Sequence, residues 1–95
     1  MKYNFEIIDG RKHLVMENNP FPLLNTFLLS EGVNFDDIID EILVEYEHEE
    51  KAYFSGNLFG LELENETALL YNKITDEENI IPAQFFIEVF REWNK

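Results

Sequence analysis

The two histidines, His13 and His48, are the side chains best suited to acid–base chemistry in this sequence. A histidine beside a carboxylate can transfer protons near neutral pH, and His48 lies within the charged run 45–51. His13 lies in a separate segment without a serine motif, and the chain contains no cysteine nucleophile. Charged runs such as 45–51 are usually solvated surface. We therefore expect no catalytic residues and no enzymatic activity.

Metal and phosphate sites are equally poorly supported by residue spacing. A site of two histidines and one carboxylate requires both histidines to converge, and nothing in the spacing brings them together. The acidic stretch 76–79 lacks the alternating ligands and central glycine of a calcium-binding loop. Gly56 and Gly60 are not followed by the lysine and helix of a phosphate-binding loop. The sequence therefore predicts no metal and no cofactor.

Carboxylates are the outstanding feature of the composition. Twenty Asp and Glu against seven Lys and Arg give a net charge of −13. This charge disfavours direct binding to nucleic acid or to anionic membranes, and it favours a basic protein partner. The simpler alternative is that it serves only solubility. The residues we expect to contact a basic partner are Asp36, Asp37, Asp40, Glu41, Glu45, Glu47, Glu49, Glu50, Asp76, Glu77 and Glu78.

The length and apolar content predict one globular domain spanning residues 1–95. Apolar residues make up 45% of the chain and aromatic residues 15%, which is enough for a single core in a domain of this size. No stretch is long and apolar enough to cross a membrane, and the first nine residues do not resemble a signal peptide. Together with the absence of cysteine, this predicts a cytoplasmic protein.

The N-terminal half predicts a hairpin and two helices. Alternating apolar residues on either side of Asp9-Gly10 indicate a β-hairpin over 2–17. Pro22 favours the start of a helix over 21–30, with Gly32 as its C-terminal stop. Asn34 is expected to cap a second helix over 35–45. The apolar stripe of this second helix consists of Phe35, Ile38, Ile39, Ile42 and Leu43.

The C-terminal half predicts a second hairpin and a closing helix. A strand beginning at 52–54 is interrupted by residues 55–57 and continues to residue 64, with Gly60 indicating a bulge or a close backbone approach. The returning strand covers 67–74, an acidic loop follows at 76–79, and Pro82 opens the last helix. The order β-β-α-α-β-β-α predicts an α+β two-layer domain, with an antiparallel sheet of two β-hairpins and three helices.

The run 53–64, followed by a strand, an acidic loop and a helix ending in Trp93, resembles small bacterial immunity proteins. These proteins neutralise the toxin domains of polymorphic toxins, including contact-dependent growth-inhibition systems. The resemblance implies a cytoplasmic inhibitor that forms a tight one-to-one complex with a toxin domain. Such toxins are often nucleases with cationic clefts, and the resemblance implies no catalytic residue in the inhibitor.

Two other functions are compatible with the same sequence. A phage-type inhibitor that mimics nucleic acid would have the same charge but would target a host nuclease or a CRISPR effector. A regulatory adaptor would self-associate through a sheet edge, and the sequence leaves the oligomeric state open. An edge strand can also accept a strand from another protein, flanked here by Phe54, Phe59 and Tyr71.

Overall fold

A computed structural model describes residues 2–95, which form six strands and two helical stretches. The α+β class predicted from the sequence is confirmed. In chain order the elements are β1 (Tyr3–Ile8), β2 (Arg11–Met16), α1 (Pro22–Phe27), a π-helical turn (Leu28–Gly32), α2 (Val33–Glu49), β3 (Lys51–Ser55), β4 (Phe59–Glu64), β5 (Thr67–Asn72), β6 (Glu78–Pro82) and α3 (Ala83–Trp93).

The strands form two separate antiparallel sheets. The N-terminal hairpin pairs β1 with β2, and the second sheet has the order β3-β4-β5-β6. The expectation of one sheet built from two hairpins is therefore wrong. The hairpin packs on the helices instead: the indole N–H of Trp93 donates to the carbonyl oxygen of Lys12 at 3.0 Å, and the rings of Tyr3 and Phe85 lie 5.6 Å apart. The helices lie between the hairpin and the larger sheet.

The core lies between the helices and the inner face of the four-stranded sheet. Alternate sheet residues such as Phe54, Leu61 and Leu70 are buried, whereas their neighbours along each strand, except the buried Gly60, are more exposed. Phe27 lies at the centre of this layer, with its ring 6.3, 6.0 and 5.6 Å from those of Phe54, Phe59 and Phe86. None of the described helices covers the outer face of the sheet, which leaves Tyr53 and Ile80 exposed.

The second half of the chain contains two strands more than predicted. Residues 55–58 reverse the chain, so the predicted interrupted strand is two antiparallel strands, β3 and β4. The acidic stretch 76–79 is only partly a loop, because Glu78 and Asn79 begin β6. Strand β6 is short and begins with the polar residues Glu78 and Asn79. The sequence pattern therefore indicated an acidic loop at this position and not a strand.

Gly60 lies in regular pairing opposite Tyr71 rather than in a bulge. A Cβ atom at Gly60 would lie 2.6 Å from Cε2 of Tyr71, so the glycine makes room for a ring that crosses from the neighbouring strand. The close approach predicted at this position is therefore made by a side chain and not by another backbone.

The first two predicted helices are one continuous helical stretch, which runs from Pro22 to Glu49. Gly32 does not end a helix; a Cβ there would lie 3.0 Å from the Trp93 ring, so the glycine is needed for packing. Asn34 does not cap α2, because its amide donates to the Ser30 carbonyl oxygen at 2.7 Å. The stretch instead bends at Phe35, whose φ of −132° and ψ of 30° are not helical.

The buried side of α2 differs from the predicted stripe by one position. Ile39 and Leu43 are fully buried, and Tyr46 extends their row, but Ile38 is 49% exposed. The helix also continues beyond residue 45 to Glu49, because Tyr46 packs into the core at its C-terminal end. The closing helix agrees with prediction: Pro82 precedes α3, which buries Phe86 and Phe90. Within residues 2–95 no helix is long and apolar enough to cross a membrane.

Candidate functional site

A groove of about 920 Å³ lies at the C-terminal end of α2. It is formed where this helix end meets the start of β3, the β4–β5 turn and the first turn of α3. The residues that line it are Tyr46, Glu47, Glu49, Glu50, Lys51, Glu64, Asn65, Glu66 and Gln84. The sequence brings these segments together because the one-residue connection after α2 and the two-residue β4–β5 turn lie at the same end of the sheet.

Negative charge predominates in this acidic groove. Its only basic lining residue, Lys51, lies 3.8 Å from the carboxylate of Glu64. Across the described part of the chain, Glu49, Glu50 and Glu66 have no ion-pair partner. Three carboxylates without cations therefore face the same concave surface, which can accept positively charged groups from another molecule.

Two of these carboxylates occupy backbone positions that favour glycine. Glu50 ends α2 with a φ of 60°, and Glu66 occupies the second position of the β4–β5 turn with a φ of 66°. A side chain in the left-handed region costs roughly 1–2 kcal/mol, and glycine is the usual residue at both kinds of position. The glutamates at these positions are not explained by backbone stability.

Ten of the eleven predicted partner-binding residues divide into three groups, and the eleventh, Glu50, lines the groove. Asp37, Glu41 and Glu45 are exposed and lie four residues apart on α2, so with Glu49 they form a row with a rise of about 6 Å per step. The second group lies near α3 or is partly buried. Glu47, through its hydrogen bond, and Asp40, through its charge, raise the pKa of Arg91 on α3, and Asp36 is partly buried. The third group, Asp76, Glu77 and Glu78, is exposed at the β5–β6 turn, at the opposite end of the sheet from the groove.

Sequence reasoning missed three glutamates that the structure makes prominent. Glu64 and Glu66 line the groove, although only the tight turn at 65–66 was recognisable from the sequence. The third, Glu31, lies in the π-helical turn and is 1% exposed. Its helical position offered no signal of burial, because the adjoining surface is formed by a loop distant in sequence.

Glu31 fixes the turn between β3 and β4 from within the protein. Its Oε1 accepts a hydrogen bond from the Leu58 N–H at 3.1 Å, and its Oε2 has no hydrogen-bond partner among residues 2–95. Gly56 leaves the space that this carboxylate occupies. From the outside, Lys73 donates to Ser55 Oγ at 2.9 Å and to the Gly56 carbonyl oxygen. This turn is therefore held on two sides.

The histidines are in different layers of the fold. His13 lies in β2, where Nδ1 is 3.1 Å from the Asn25 side-chain amide, and His48 is exposed near the end of α2. Across the described residues, no group of three or more His, Cys, Asp or Glu side chains is arranged to bind a metal ion.

Glu47 and Arg91 form a bidentate ion pair between α2 and α3. Arg91 Nη2 donates to Glu47 Oε1 at 2.7 Å and Nη1 donates to Oε2 at 3.1 Å. Hydrogen bonding to Arg91 lowers the pKa of the Glu47 carboxyl below its usual 4.5. The contribution of this ion pair to stability is therefore present above pH 4.5 and is lost as the pH falls through the lowered pKa of Glu47.

We expect Glu47→Gln to lower the free energy of unfolding by less than about 1 kcal/mol at pH 7, since both partners are largely solvated. The difference from the wild type should vanish when the pH falls well below 4.5. Urea unfolding of both proteins across this pH range measures the difference in the free energy of unfolding. Glu45→Gln removes the same charge from the exposed side of α2, so it is the matched control and should lower the stability at pH 7 less than Glu47→Gln does. An equal effect of both substitutions would mean that general charge, and not this pair, is responsible.

Comparison with known proteins gives no family for this chain. No protein-family model, curated protein or solved structure matches it.

Proposed function

We propose that this protein is an immunity protein that binds a basic toxin domain in the cytoplasm and neutralises it. The observation that supports this most directly is the acidic groove, in which Glu49, Glu50 and Glu66 have no ion-pair partner among the residues that the structure describes. Unpaired carboxylates on one concave surface repel one another, and a cationic surface that enters the groove relieves that repulsion. The resemblance of the C-terminal half to immunity proteins points to a toxin as the partner.

The toxin would be inhibited because the acidic protein occupies its substrate-binding cleft and pairs with the positive charges there. A nuclease binds its substrate phosphates through Lys and Arg side chains, so an acidic protein competes for the same groups. The row of Asp37, Glu41, Glu45 and Glu49 extends the groove along α2 for about 18 Å, the length of several nucleotides. The groove and this row together would cover a cationic cleft without any chemical step in the inhibitor.

The same row also supports the second candidate, an inhibitor that mimics nucleic acid and targets a host nuclease. Regularly spaced carboxylates on an exposed helix are the feature that such a mimic requires. The two proposals differ in the target and not in the surface. A toxin gene beside the gene for this chain would favour immunity, and growth protection provides the functional measurement.

Glu50→Gly combined with Glu66→Gly tests the proposal without weakening the fold. Glycine relieves both left-handed positions, and this offsets its larger unfolded-state entropy, roughly 1 kcal/mol per residue. We expect a melting temperature at least equal to that of the wild type. Affinity for the toxin domain encoded beside this chain should nevertheless fall roughly tenfold at low salt, and the difference should shrink as salt is added. Protection of cells expressing that toxin should fall with it.

The matched control is Asp9→Gly combined with Glu6→Gln. Both residues are exposed on the N-terminal hairpin, and Asp9 also has a positive φ of 51°, so the control removes two carboxylates that lie outside the groove and outside the row on α2. We expect this variant to keep its affinity and its protection of growth. Equal loss in both variants would show that net charge acts without the groove. Absence of binding and protection by the wild type would contradict the immunity function itself.

A further inference from the structure

The outer edge of β3 presents hydrogen-bonding groups that none of the other five described strands uses. β3 is the first strand of its sheet and pairs only with β4. The N–H of Gly56 donates to the Phe59 carbonyl oxygen at 2.9 Å, which makes these residues a hydrogen-bonded pair. Because bonded and non-bonded pairs alternate in an antiparallel ladder, Lys51, Tyr53 and Ser55 direct their N–H and C=O groups away from β4.

The opposite edge of the sheet is a poorer template. The N–H of Asn72 donates to the Glu77 carbonyl oxygen at 2.8 Å, so the same alternation directs the backbone groups of Glu78, Ile80 and Pro82 outward from β6. Pro82 has no N–H, and β6 therefore offers one donor fewer than β3. Strand addition should favour the β3 edge.

Both ends of β3 are fixed before any partner arrives. At the C-terminal end, Glu31 and Lys73 hold the turn 55–58 from its two sides. At the N-terminal end, the Glu50 N–H donates to the Tyr46 carbonyl oxygen at 2.7 Å and ties the strand to α2. A strand held in its final conformation loses little conformational entropy on binding, which favours association.

The β3 edge begins at the acidic groove. Lys51 is both the first residue of the strand and a residue of the groove lining. A chain that pairs with Tyr53 and Ser55 and continues past Lys51 therefore reaches Glu49, Glu50 and Glu66. Backbone pairing and charge complementarity thus point to the same molecule.

We propose that the free edge of β3 pairs with an extended segment of the basic partner, and that a Lys or Arg of this segment enters the acidic groove. The proposal rests on the proposed function for the charge of the partner, and it adds the mode of recognition. A second copy of this chain is a poor occupant, because each copy carries a net charge of −13.

A capped peptide of alternating lysine and valine, about nine residues long, is a suitable probe for the whole protein. Its control has the same sequence with an N-methyl group on every residue, which removes the backbone donors of both edges and keeps the charge. We expect the parent peptide to bind at least about tenfold more tightly than the methylated one. It should also slow amide hydrogen exchange at Tyr53 and Ser55 and leave Ile80 unchanged. Equal affinity, or no protection at β3, would overturn the proposal.

Three variants locate the contact. Tyr53→Pro removes an outward N–H and should weaken peptide binding about tenfold. Ile80→Pro removes the corresponding N–H on the opposite edge, in the same row of the sheet, and should leave affinity within about twofold. Tyr53→Ala keeps the backbone donor, so its affinity should stay close to that of the wild type. The exchange measurement on the wild type decides the question if Tyr53→Pro fails to fold.

The proposal for the β3 edge and the proposed immunity function can be contradicted separately. If Tyr53→Pro protects cells from the toxin as well as the wild type does, while Glu50→Gly with Glu66→Gly does not, the immunity function stands and the β3 edge is not used. If Ile80→Pro is the variant that loses peptide binding, the partner pairs with β6 and the proposal is wrong.

Discussion

Phe27→Ala is expected to lower the free energy of unfolding by about 3–5 kcal/mol, the largest effect of any single substitution considered for this protein. The Phe27 ring is fully buried and contacts the rings of Phe54, Phe59 and Phe86, which come from β3, β4 and α3. Removing it leaves a cavity where the helical layer meets the sheet. The loss is a large share of the roughly 5–15 kcal/mol that usually stabilises a domain.

Phe85→Ala is the matched control for Phe27→Ala. Phe85 is also an aromatic residue of the helical layer, but it is only half-buried, next to Tyr3 and Phe21. We expect a loss of roughly half that of Phe27→Ala or less, because the surface can relax around the missing ring. Denaturant unfolding, with the slope compared between variants, measures both losses. Equal losses would contradict the central position of Phe27.

Gly56→Ala should lower the free energy of unfolding by roughly 2–4 kcal/mol, although the substitution adds only one methyl group. The new Cβ would overlap the Glu31 carboxylate and lie 2.5 Å from its Cδ atom. Glu31 is buried, so it can move aside only by giving up its hydrogen bond from the Leu58 N–H. Overpacking and the loss of this hydrogen bond both contribute to the expected effect.

A double-mutant cycle with Glu31→Ala tests the cause of the Gly56→Ala effect. Removing the carboxylate frees the space that the new methyl group requires. The double variant should therefore be more stable than the sum of the single losses predicts, by more than about 1 kcal/mol. Gly56 has no positive φ, so the loss at this position should come from the overlap, whereas Gly10→Ala, where a Cβ would meet nothing within 4 Å and φ is 76°, measures the separate cost of backbone strain. Additive losses at positions 31 and 56 would show that the overlap is relieved in another way.

These two predictions and the groove variants separate stability from recognition. Phe27 and Gly56 act on the core and on the turn after β3, whereas Glu50 and Glu66 are exposed and lie at positions where glycine is tolerated at least as well. Loss of binding without loss of stability is therefore expected for the groove variants and not for Phe27→Ala or Gly56→Ala. Such a pattern is common where functional residues occupy positions that do not favour the fold.

The local pattern of apolar residues was sufficient to predict an element wherever the element depends mainly on its own residues. Alternation around Asp9-Gly10 predicted the first hairpin, and Pro82 at the start of a closing helix predicted α3. The α+β class followed from the alternating and the helical apolar patterns, because they report which side of each element is apolar. The excess of carboxylates is evident from the composition alone.

Tertiary contacts decided what those patterns left ambiguous. Gly32 has the appearance of a helix stop, but the Trp93 ring packed against it keeps the helix continuous. The pairing of β3, β4, β5 and β6, and the separation of the N-terminal hairpin from that sheet, depend on contacts between distant residues. The acidic groove depends on them too: α2, the β4–β5 turn and α3 are far apart in the chain, and only folding brings Glu50 and Glu66 to one surface. The sequence by itself determined how much negative charge the protein has, whereas the tertiary structure decided where that charge is concentrated, because the distance between charges depends on the path of the chain.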